Sequence, residues 1–293
     1  MVGTMTPGRR LFIGVNTLFL LALSCVMLYP FLYVIAASFS SDVFILTGSV
    51  GILPKGFTTG AYGRVFNYPM IWRSYGNTLL YTFFGTLINI ALTSLGAYPL
   101  SRKQFYGRTF FTFFVAFTMW FNAGMIPTFL VVRSYKMYNT LWAILLPGAI
   151  STYNMIVMRT FFQQIPVSLE EAALIDGCND VQTLLRIIVP LSFVTISLFY
   201  AVGHWNSFMS ALIYLRDKNK FPLQMILRDV VIQNQLQDLV NITESMDVNA
   251  ESVKFATIVT ATLPILCIYP FIQKYFVKGV MIGALKDNKT IGG

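Results

Sequence analysis

The acidic residues of this sequence are concentrated in one short stretch. Asp and Glu make up only 12 of the 293 residues. Residues 170–190 read EEAALIDGCNDVQTLLRIIVP, and the sequence on both sides is apolar. Carboxylates at this density can frame a surface that docks onto a partner, or they can belong to an interfacial loop whose acids stay hydrated. The acids of this stretch are Glu170, Glu171, Asp176 and Asp180.

The residue order here predicts a short helix that ends in a turn. Ser168 followed three residues later by Glu171 is the capping-box pattern. A helix is therefore expected over residues 169–176. Gly177 then occupies the position past the helix end, where a left-handed backbone conformation favours glycine.

Two small side chains lie in the middle of the predicted short helix. Ala172 and Ala173 would let another surface approach closely, so the residues alone leave both the docking element and the hydrated loop open. After the turn, Asn179 or Asp180 is expected to cap a second helix. That second helix leads back to apolar sequence at Pro190.

Several polar and aromatic residues lie inside or beside long apolar runs. Polar groups within membrane spans are functional candidates by default. Aromatic faces combined with amides suit sugar rings, which stack on Trp or Tyr and hydrogen-bond to polar groups. The same residue types also anchor helices at membrane interfaces and hold helices together. The candidates for a substrate pathway are His204, Trp205, Asn206, Asn122, Tyr153 and Asn154.

Long windows without charge define the elements that must position these residues. The sequence is 56% hydrophobic and 11% charged, whereas a soluble domain is about 25% charged. A membrane-spanning helix needs roughly 20 mostly apolar residues, and a helix satisfies its own backbone polar groups in lipid. The sequence therefore predicts an all-α integral membrane protein with six transmembrane helices. The six windows are 11–41, 74–101, 109–132, 137–158, 187–215 and 255–273.

Two long connections separate pairs of predicted spans. Residues 42–73 contain turn-forming Gly and Pro, and 60–72 is expected to form a short amphipathic helix at the membrane interface. Residues 216–254 are polar and are interpreted as an extracytoplasmic loop. Lys and Arg divide almost equally between the two sides of the membrane, but the short loop 101–108 and the C-terminal tail favour cytoplasmic termini.

The sequence carries no pattern for covalent catalysis or metal binding. Cys25, Cys178 and Cys267 have no metal-ligand spacing, His204 is the only histidine, and there is no Walker A loop. The net charge of +9 comes from basic residues at span ends, where they meet anionic headgroups, so nucleic acid is not an expected partner. Window 11–41 is too long for a signal-peptide core and is interpreted as a retained span.

One set of residues in the acidic stretch has a recognisable spacing: Glu171, Ala172, Ala173, Asp176, Gly177, Ile187 and Pro190. With this spacing, and with its position before the penultimate span, the stretch resembles the EAA motif of bacterial ABC-importer permeases. The segments GNTLLYT, GAYPLSR, YNTLWAILLP, VGHWNSF and YFVKGVMIGALK are similar to the carbohydrate-uptake branch, especially to maltose-permease-G-like subunits. Leu184 stands where that family often has Phe, and Cys178 where Ala is common.

This resemblance implies the transmembrane domain of a type I ABC importer. In that family the short helix is a coupling helix, which fits a cleft on the cytoplasmic ATPase subunit. The resemblance implies an N-terminal tail, first span and extracytoplasmic segment over 1–72, the transmembrane domain with its coupling helix (168–177) over 73–275, and a cytoplasmic tail over 276–293. The residues expected to couple to the ATPase are Glu170, Glu171, Ala172, Ala173, Asp176 and Gly177.

The resemblance also implies the partners of this chain. They are a second permease that forms a heterodimer with it, two ATPase subunits that bind ATP and Mg, an extracytoplasmic solute-binding protein, and an oligosaccharide, with alginate-type saccharides as one candidate. The chain itself would be neither an enzyme nor a cofactor-binding protein. It would lie in the bacterial cytoplasmic (inner) membrane with both termini in the cytoplasm.

Two other functions are the alternatives to this one. A self-sufficient secondary transporter would need membrane-embedded carboxylates for ion coupling, and none of the six windows contains Asp or Glu. An integral-membrane enzyme would need a catalytic cluster, which the sequence does not display.

Overall fold

The computed structural model describes residues 6–121, 123–240 and 251–284. Within these ranges the chain is helical and contains no strand, so the predicted all-α class is confirmed. A π-helix covers Leu184–Ile188 and a 3-10 helix covers Lys218–Lys220. The α-helices are α1 Pro7–Ser38, α2 Asp42–Leu46, α3 Gly60–Asn67, α4 Pro69–Ser101, α5 Arg108–Phe117, α6 Met125–Ser134, α7 Trp142–Leu145, α8 Thr152–Gln164, α9 Val167–Ile175, α10 Asp180–Thr183, α11 Val189–Trp205, α12 Met209–Tyr214, α13 Leu223–Val240 and α14 Glu251–Ala284.

Three helices in the described ranges are long and apolar enough to cross a membrane: α1, α4 and the segment Glu251–Pro270 of α14. They coincide with the first, second and sixth predicted windows. Each of the other three windows contains two helices with a break between them, namely α5 and α6, α7 and α8, and α11 and α12. The charge-free windows alone do not predict these breaks, and the count of six spans stays a prediction.

The chain divides into two compact units, and the first comprises Met1–Pro69 and Leu227–Pro264. In this unit α1 is apolar along its length, and its only buried residues are the last three, which begin at Ala36. Here α1 meets the start of α14, where the ring of Tyr33 lies edge-on to that of Phe255. The buried Asp42 accepts a 2.7 Å hydrogen bond from the backbone N–H of Ser252.

The second unit comprises Met70–Ile226 and Ile265–Gly293, and α4 is its central helix. Buried apolar residues of α4, α8 and α11 pack together with the π-helix in one core. A second set of α4 residues recurs every four positions and so lies on one helix face. Its members are polar or small: Asn77, Tyr81, Gly85, Asn89 and Thr93.

Asn89 supports the break between α7 and α8. This break contains Pro147 and Gly148, and a non-helical backbone leaves carbonyl groups that need partners at membrane depth. The fully buried Asn89 side chain donates from Nδ2 to the carbonyls of Gly148, at 2.9 Å, and Ala149, at 2.7 Å. The broken segment is therefore stabilised by α4.

The same amide joins α11 to this network. Because Nδ2 of Asn89 donates, its Oδ1 is the atom that lies 2.6 Å from Nε2 of His204, and that nitrogen must donate. A β-carbon at Gly85 would lie 2.4 Å from the same imidazole nitrogen. Glycine is thus required at position 85 for the close approach of α4 and α11.

Other residues of this α4 face also make hydrogen bonds to neighbouring segments. The hydroxyls of Thr93 and Tyr200 lie 2.7 Å apart, and the Tyr200 hydroxyl also accepts a hydrogen bond from the backbone N–H of Ser151. At the amino-terminal end, Asn77 donates to the Asn219 carbonyl at 2.8 Å, and Tyr81 donates to the Lys220 carbonyl at 2.6 Å.

The structure corrects two expectations about the connections. The polar region 216–254 was interpreted as a loop, but 223–240 forms α13; residues 241–250 lie outside the described residues. The predicted interfacial helix over 60–72 is present as α3, which ends at Asn67, because Pro69 already begins α4.

Replacing Asn89 by Ala is expected to destabilise the chain. The substitution leaves two backbone carbonyls and His204 without their partner, and each buried unpaired group costs about 1–3 kcal/mol. The thermal unfolding midpoint of the detergent-purified chain should therefore fall. Asn206→Ala is the matched control, because within the described part of the chain the exposed Asn206 side chain bonds only to the Val202 carbonyl of its own helix. Equal midpoints for the two variants would contradict this account.

Candidate functional site

The helix α9 forms the short element predicted in the acidic stretch, but it begins differently. It starts at Val167, directly after Pro166. The predicted capping box of Ser168 and Glu171 is wrong, because Ser168 already lies inside the helix and the N-cap residue makes no side-chain cap. The fixed φ of proline suits the entry to a helix, so Pro166 sets the start two residues earlier than expected.

The end of α9 is the turn that the sequence predicts. Gly177 has a φ of +80°, in the left-handed region that favours glycine. Its N–H donates to the Leu174 carbonyl at 3.0 Å, and the N–H of Cys178 donates to the Ala173 carbonyl at 2.9 Å. These two bonds form a Schellman motif, which fixes the direction of the chain after α9.

A capping box does occur at the start of the next helix. Asn179 Oδ1 accepts from the N–H of Gln182 at 2.8 Å, and Gln182 Oε1 accepts from the N–H of Asn179 at 3.0 Å. Of the two predicted caps, Asn179 is thus the one used. The helix α10 continues without a loop through the π-helix into α11. Pro190 lies in the first turn of α11. Proline has no N–H to donate, and the segment just before it is a π-helix instead of a regular α-helix.

The two alanines of α9 face in different directions. Ala173 is only 3% exposed and is buried within this chain, whereas Ala172 is exposed. Ala173 packs inside this chain, which contradicts the expectation that it faces a partner, whereas a partner contact of Ala172 stays a prediction. Leu174 and Ile175 are 71% and 86% exposed, so the carboxyl-terminal end of α9 presents apolar side chains outward.

Glu170 is directed at its own chain. Its Oε1 forms an ion pair with Nη2 of Arg102, the residue that follows α4, and both side chains are largely shielded from solvent. The Arg102 guanidinium also lies 4.7 Å from the ring centroid of Tyr98 in α4. Burial raises the pKa of the Glu170 carboxyl, Arg102 opposes that shift, and the carboxylate of Asp180 adds to it. The ion pair ties α9 to the end of α4.

The other two predicted coupling acids point away from the chain. Glu171 and Asp176 are both exposed, and Asp176 forms the C-cap of α9. The structure therefore places Glu171, Ala172 and Asp176 at an outer surface of the short helix, with Leu174 and Ile175 beside them in sequence.

The predicted substrate-pathway residues divide between α11 and α8. His204 is bound to Asn89, Trp205 is buried, and Asn206 is exposed just past the end of α11. In the first turn of α8, Tyr153 is 58% exposed while Asn154 is buried. Hydrogen bonds through Asn89 connect His204 to the break before α8. Their contact with a substrate stays a prediction, and Asn122 lies outside the described residues.

Sequence reasoning missed two features of this site. The first is Arg102. In the sequence it indicates only the orientation of a short basic loop, whereas in the structure it is the ion-pair partner of Glu170. The second is the apolar pair Leu174 and Ile175, whose signal was present as two large apolar residues inside an otherwise acidic stretch.

Long apolar helices, together with a short helix that exposes Leu174 and Ile175, are typical of a membrane protein that contacts a partner. Residues 90–282 match the family model of the binding-protein-dependent transport system inner membrane component, and the chain belongs to this family. The resemblance to ABC-importer permeases that the sequence indicated is thereby confirmed.

Similar proteins cover almost the whole chain. Protein LplC of Bacillus subtilis (strain 168) is 45% identical over 285 residues, which are 96% of this chain and 97% of that protein. The polygalacturonan/rhamnogalacturonan transport system permease protein YtcP of the same strain is 43% identical over 273 residues, 92% of this chain and 96% of that protein. A chain in the crystal structure of a bacterial ABC transporter involved in the import of the acidic polysaccharide alginate has a TM-score of 0.83 and 37% identity, over 94% of this chain and 100% of that chain.

The turn after α9 gives a test that separates backbone strain from contact. A β-carbon at Gly177 would meet no atom within 4 Å, so any loss in Gly177→Ala comes from the left-handed backbone, at about 1–2 kcal/mol. Gly177→Asn is the matched variant, because Asn tolerates this conformation. We expect the Ala variant, and not the Asn variant, to speed hydrogen exchange in α9 by roughly tenfold. Equal exchange in both would refute the assignment of this turn.

Proposed function

We propose that this chain is one of two different permease subunits that together form the path of an oligosaccharide across the bacterial inner membrane. A solute-binding protein delivers the oligosaccharide from outside, and two ATPase subunits drive its import. The family description names the dependence on a binding protein. Along nearly its whole length this chain is similar to a polygalacturonan/rhamnogalacturonan transport permease and to a chain of an alginate importer, which supports a saccharide as the substrate.

In this proposal α9 lies on the cytoplasmic side, together with both termini and the end of α4 that carries Arg102. ATP and Mg bind to the ATPase subunits and not to this chain. The short loop 101–108 holds Arg102, Lys103 and Arg108, and such a concentration of basic residues favours the cytoplasmic side.

The observation that carries the proposal is the outward end of α9. Ile175 and Leu174 are the most exposed of the large apolar residues in α9, a helix that lies outside the long apolar windows. Large apolar side chains that are close together and exposed mark a contact surface, and small Ala172 lets a partner backbone come near. We therefore assign this end of α9 as the part that enters the cleft of an ATPase subunit.

Two structural connections would carry movement from α9 into the membrane. The ion pair of Glu170 and Arg102 joins α9 to α4. The turn at Gly177 is followed by α10, the π-helix and α11 without a loop between them. This continuous helical segment leads from the turn to Tyr200 and His204 in α11. When ATP binding draws the two ATPase subunits together, α4 and α11 would move with α9 and change access to the path.

Two loops near the amino-terminal end of α4, residues 133–140 and 214–222, favour an acidic saccharide. Asn139 accepts hydrogen bonds from the backbone N–H groups of Arg216 and Asp217, which holds two loops together. Asp217 is the only acid in residues 133–140 and 214–222. A surface with excess positive charge attracts anions. The basic residues of these loops are Arg133, Lys136, Arg216, Lys218 and Lys220.

Ile175→Glu is expected to uncouple the transporter without preventing membrane insertion. A charge at the centre of an apolar contact should weaken ATPase docking by at least about 1.4 kcal/mol, which is about tenfold in affinity. The measurement is ATP hydrolysis by the reconstituted complex, with and without the loaded binding protein. Ile175→Val is the control, because it keeps an apolar side chain.

Stimulation by the loaded binding protein should be retained by the Val variant and lost by the Glu variant. The binding protein is supplied with alginate oligosaccharide in one arm and with maltotriose in the other, and greater stimulation is expected with the acidic saccharide. Full stimulation of the Ile175→Glu complex would refute the role of α9. Stimulation by maltotriose alone would refute the acidic substrate class.

A further inference from the structure

A basic cavity of about 380 Å³ lies between α5 and α8, near the end of α4. It is separate from the outward surface of α9 and from the predicted substrate-pathway residues. One end of the cavity is cationic and the other is apolar. Its lining residues are Arg108, Thr109, Thr112, Phe113, Ala116 and Arg159.

Two guanidinium groups meet at the cationic end. Arg108 and Arg159 both donate from Nε to the carbonyl oxygen of Leu100, at 3.1 Å and 2.9 Å. Each guanidinium therefore still has its terminal nitrogens to donate. Within the described part of the chain neither arginine has a carboxylate partner, since Glu170 pairs with Arg102. The two adjacent guanidinium groups can therefore bind one shared anion.

A hydroxyl group and a helix start add to this end of the cavity. The Thr112 hydroxyl is buried and has no hydrogen-bond partner among the described residues. The helix α5 begins at Arg108, whose own N–H donates to the Phe105 carbonyl, so Thr109 and the first-turn N–H groups of Thr109 and Phe110 lie at the same end. Backbone N–H groups and the positive end of the helix dipole favour a phosphate here.

The apolar end of the cavity distinguishes a lipid from a free ion. Phe113, whose side chain is exposed, and Ala116 continue the lining along α5. The cavity adjoins Leu100 at the end of α4, a helix long enough to span the membrane, so the site lies at a membrane boundary. A headgroup can occupy the cationic end while an acyl chain lies along Phe113 and Ala116.

We propose that this cavity binds an anionic phospholipid, with its phosphate held by Arg108, Arg159 and the Thr112 hydroxyl. Two arginines without a carboxylate select a headgroup of net negative charge over a zwitterionic one. The inference requires that α4 spans the membrane, which is part of the proposed function, but it does not require α9 to contact an ATPase.

The test uses the purified transporter complex in detergent and native mass spectrometry. Phosphatidylglycerol or phosphatidylcholine is titrated into the wild type and into Arg108→Gln, Arg159→Gln and Thr112→Val. Glutamine keeps a donor for the Leu100 carbonyl but removes the charge. We expect phosphatidylglycerol to bind at least tenfold more tightly than phosphatidylcholine. Each arginine variant should lose about tenfold and the Thr112 variant about threefold of that affinity.

Lys103→Gln is the matched control, because it removes one charge from the same short loop without touching this cavity. Equal binding of the two lipids, or an equal loss in Lys103→Gln, would overturn the proposal. Competition by millimolar inorganic phosphate would assign the site to free phosphate and overturn it as well. If the arginine variants fail to assemble, Thr112→Val decides the question, because this hydroxyl has no partner within the described residues. ATP hydrolysis by the same preparations reports the proposed function independently.

Discussion

A backbone carbonyl at membrane depth must have a hydrogen-bond donor, and in the second unit α4 is organised around this requirement. Where the chain leaves regular helix before α8, Asn89 of α4 supplies the donors for the Gly148 and Ala149 carbonyls. An unpaired carbonyl in a lipid environment costs several kcal/mol, so this contact stabilises the broken segment. Asn77 and Tyr81 of α4 make similar bonds to the carbonyls of Asn219 and Lys220 in the polar region that follows α12.

The carboxyl-terminal end of α4 follows the same rule and links the two proposed sites. The Leu100 carbonyl accepts from Arg108 and Arg159, which brings two cations to a place where a phosphate can join them. Arg102, immediately beyond, holds Glu170 of α9. The helix that stabilises the broken spans thus also positions the short helix assigned to the ATPase contact. A movement of α9, or the binding of a lipid in the cavity, would therefore change the position of α4.

The sequence predicted those features that depend on local chemistry. Charge-free windows gave the apolar helices, and Gly177 was correctly placed past the end of α9 because its left-handed backbone is a local property. The start of α9 was wrong, since Ser168 and Glu171 match a capping box while the neighbouring Pro166 begins the helix earlier.

Features that depend on tertiary contacts were out of reach. The break at Pro147 and Gly148 lies inside an apolar window, and the donors for the carbonyls of Gly148 and Ala149 come from Asn89, which is distant in sequence. The inward direction of Ala173 likewise depends on packing that no local pattern reports. A retrospective signal does exist for α4, whose polar and small residues recur at every fourth position, as expected for one face of a helix.

The central claim is that the outward end of α9 contacts an ATPase subunit, and site-directed cross-linking tests it most directly. Ile175→Cys and Ala173→Cys are each placed in a chain whose three native cysteines have been replaced, and the complex is treated in membranes with a short thiol-to-amine cross-linker. Ile175 is 86% exposed and Ala173 only 3%. The account predicts a product of permease and ATPase from position 175 and none from position 173. No product from position 175 in a complex that still retains its ATPase, or equal products from both positions, would contradict it.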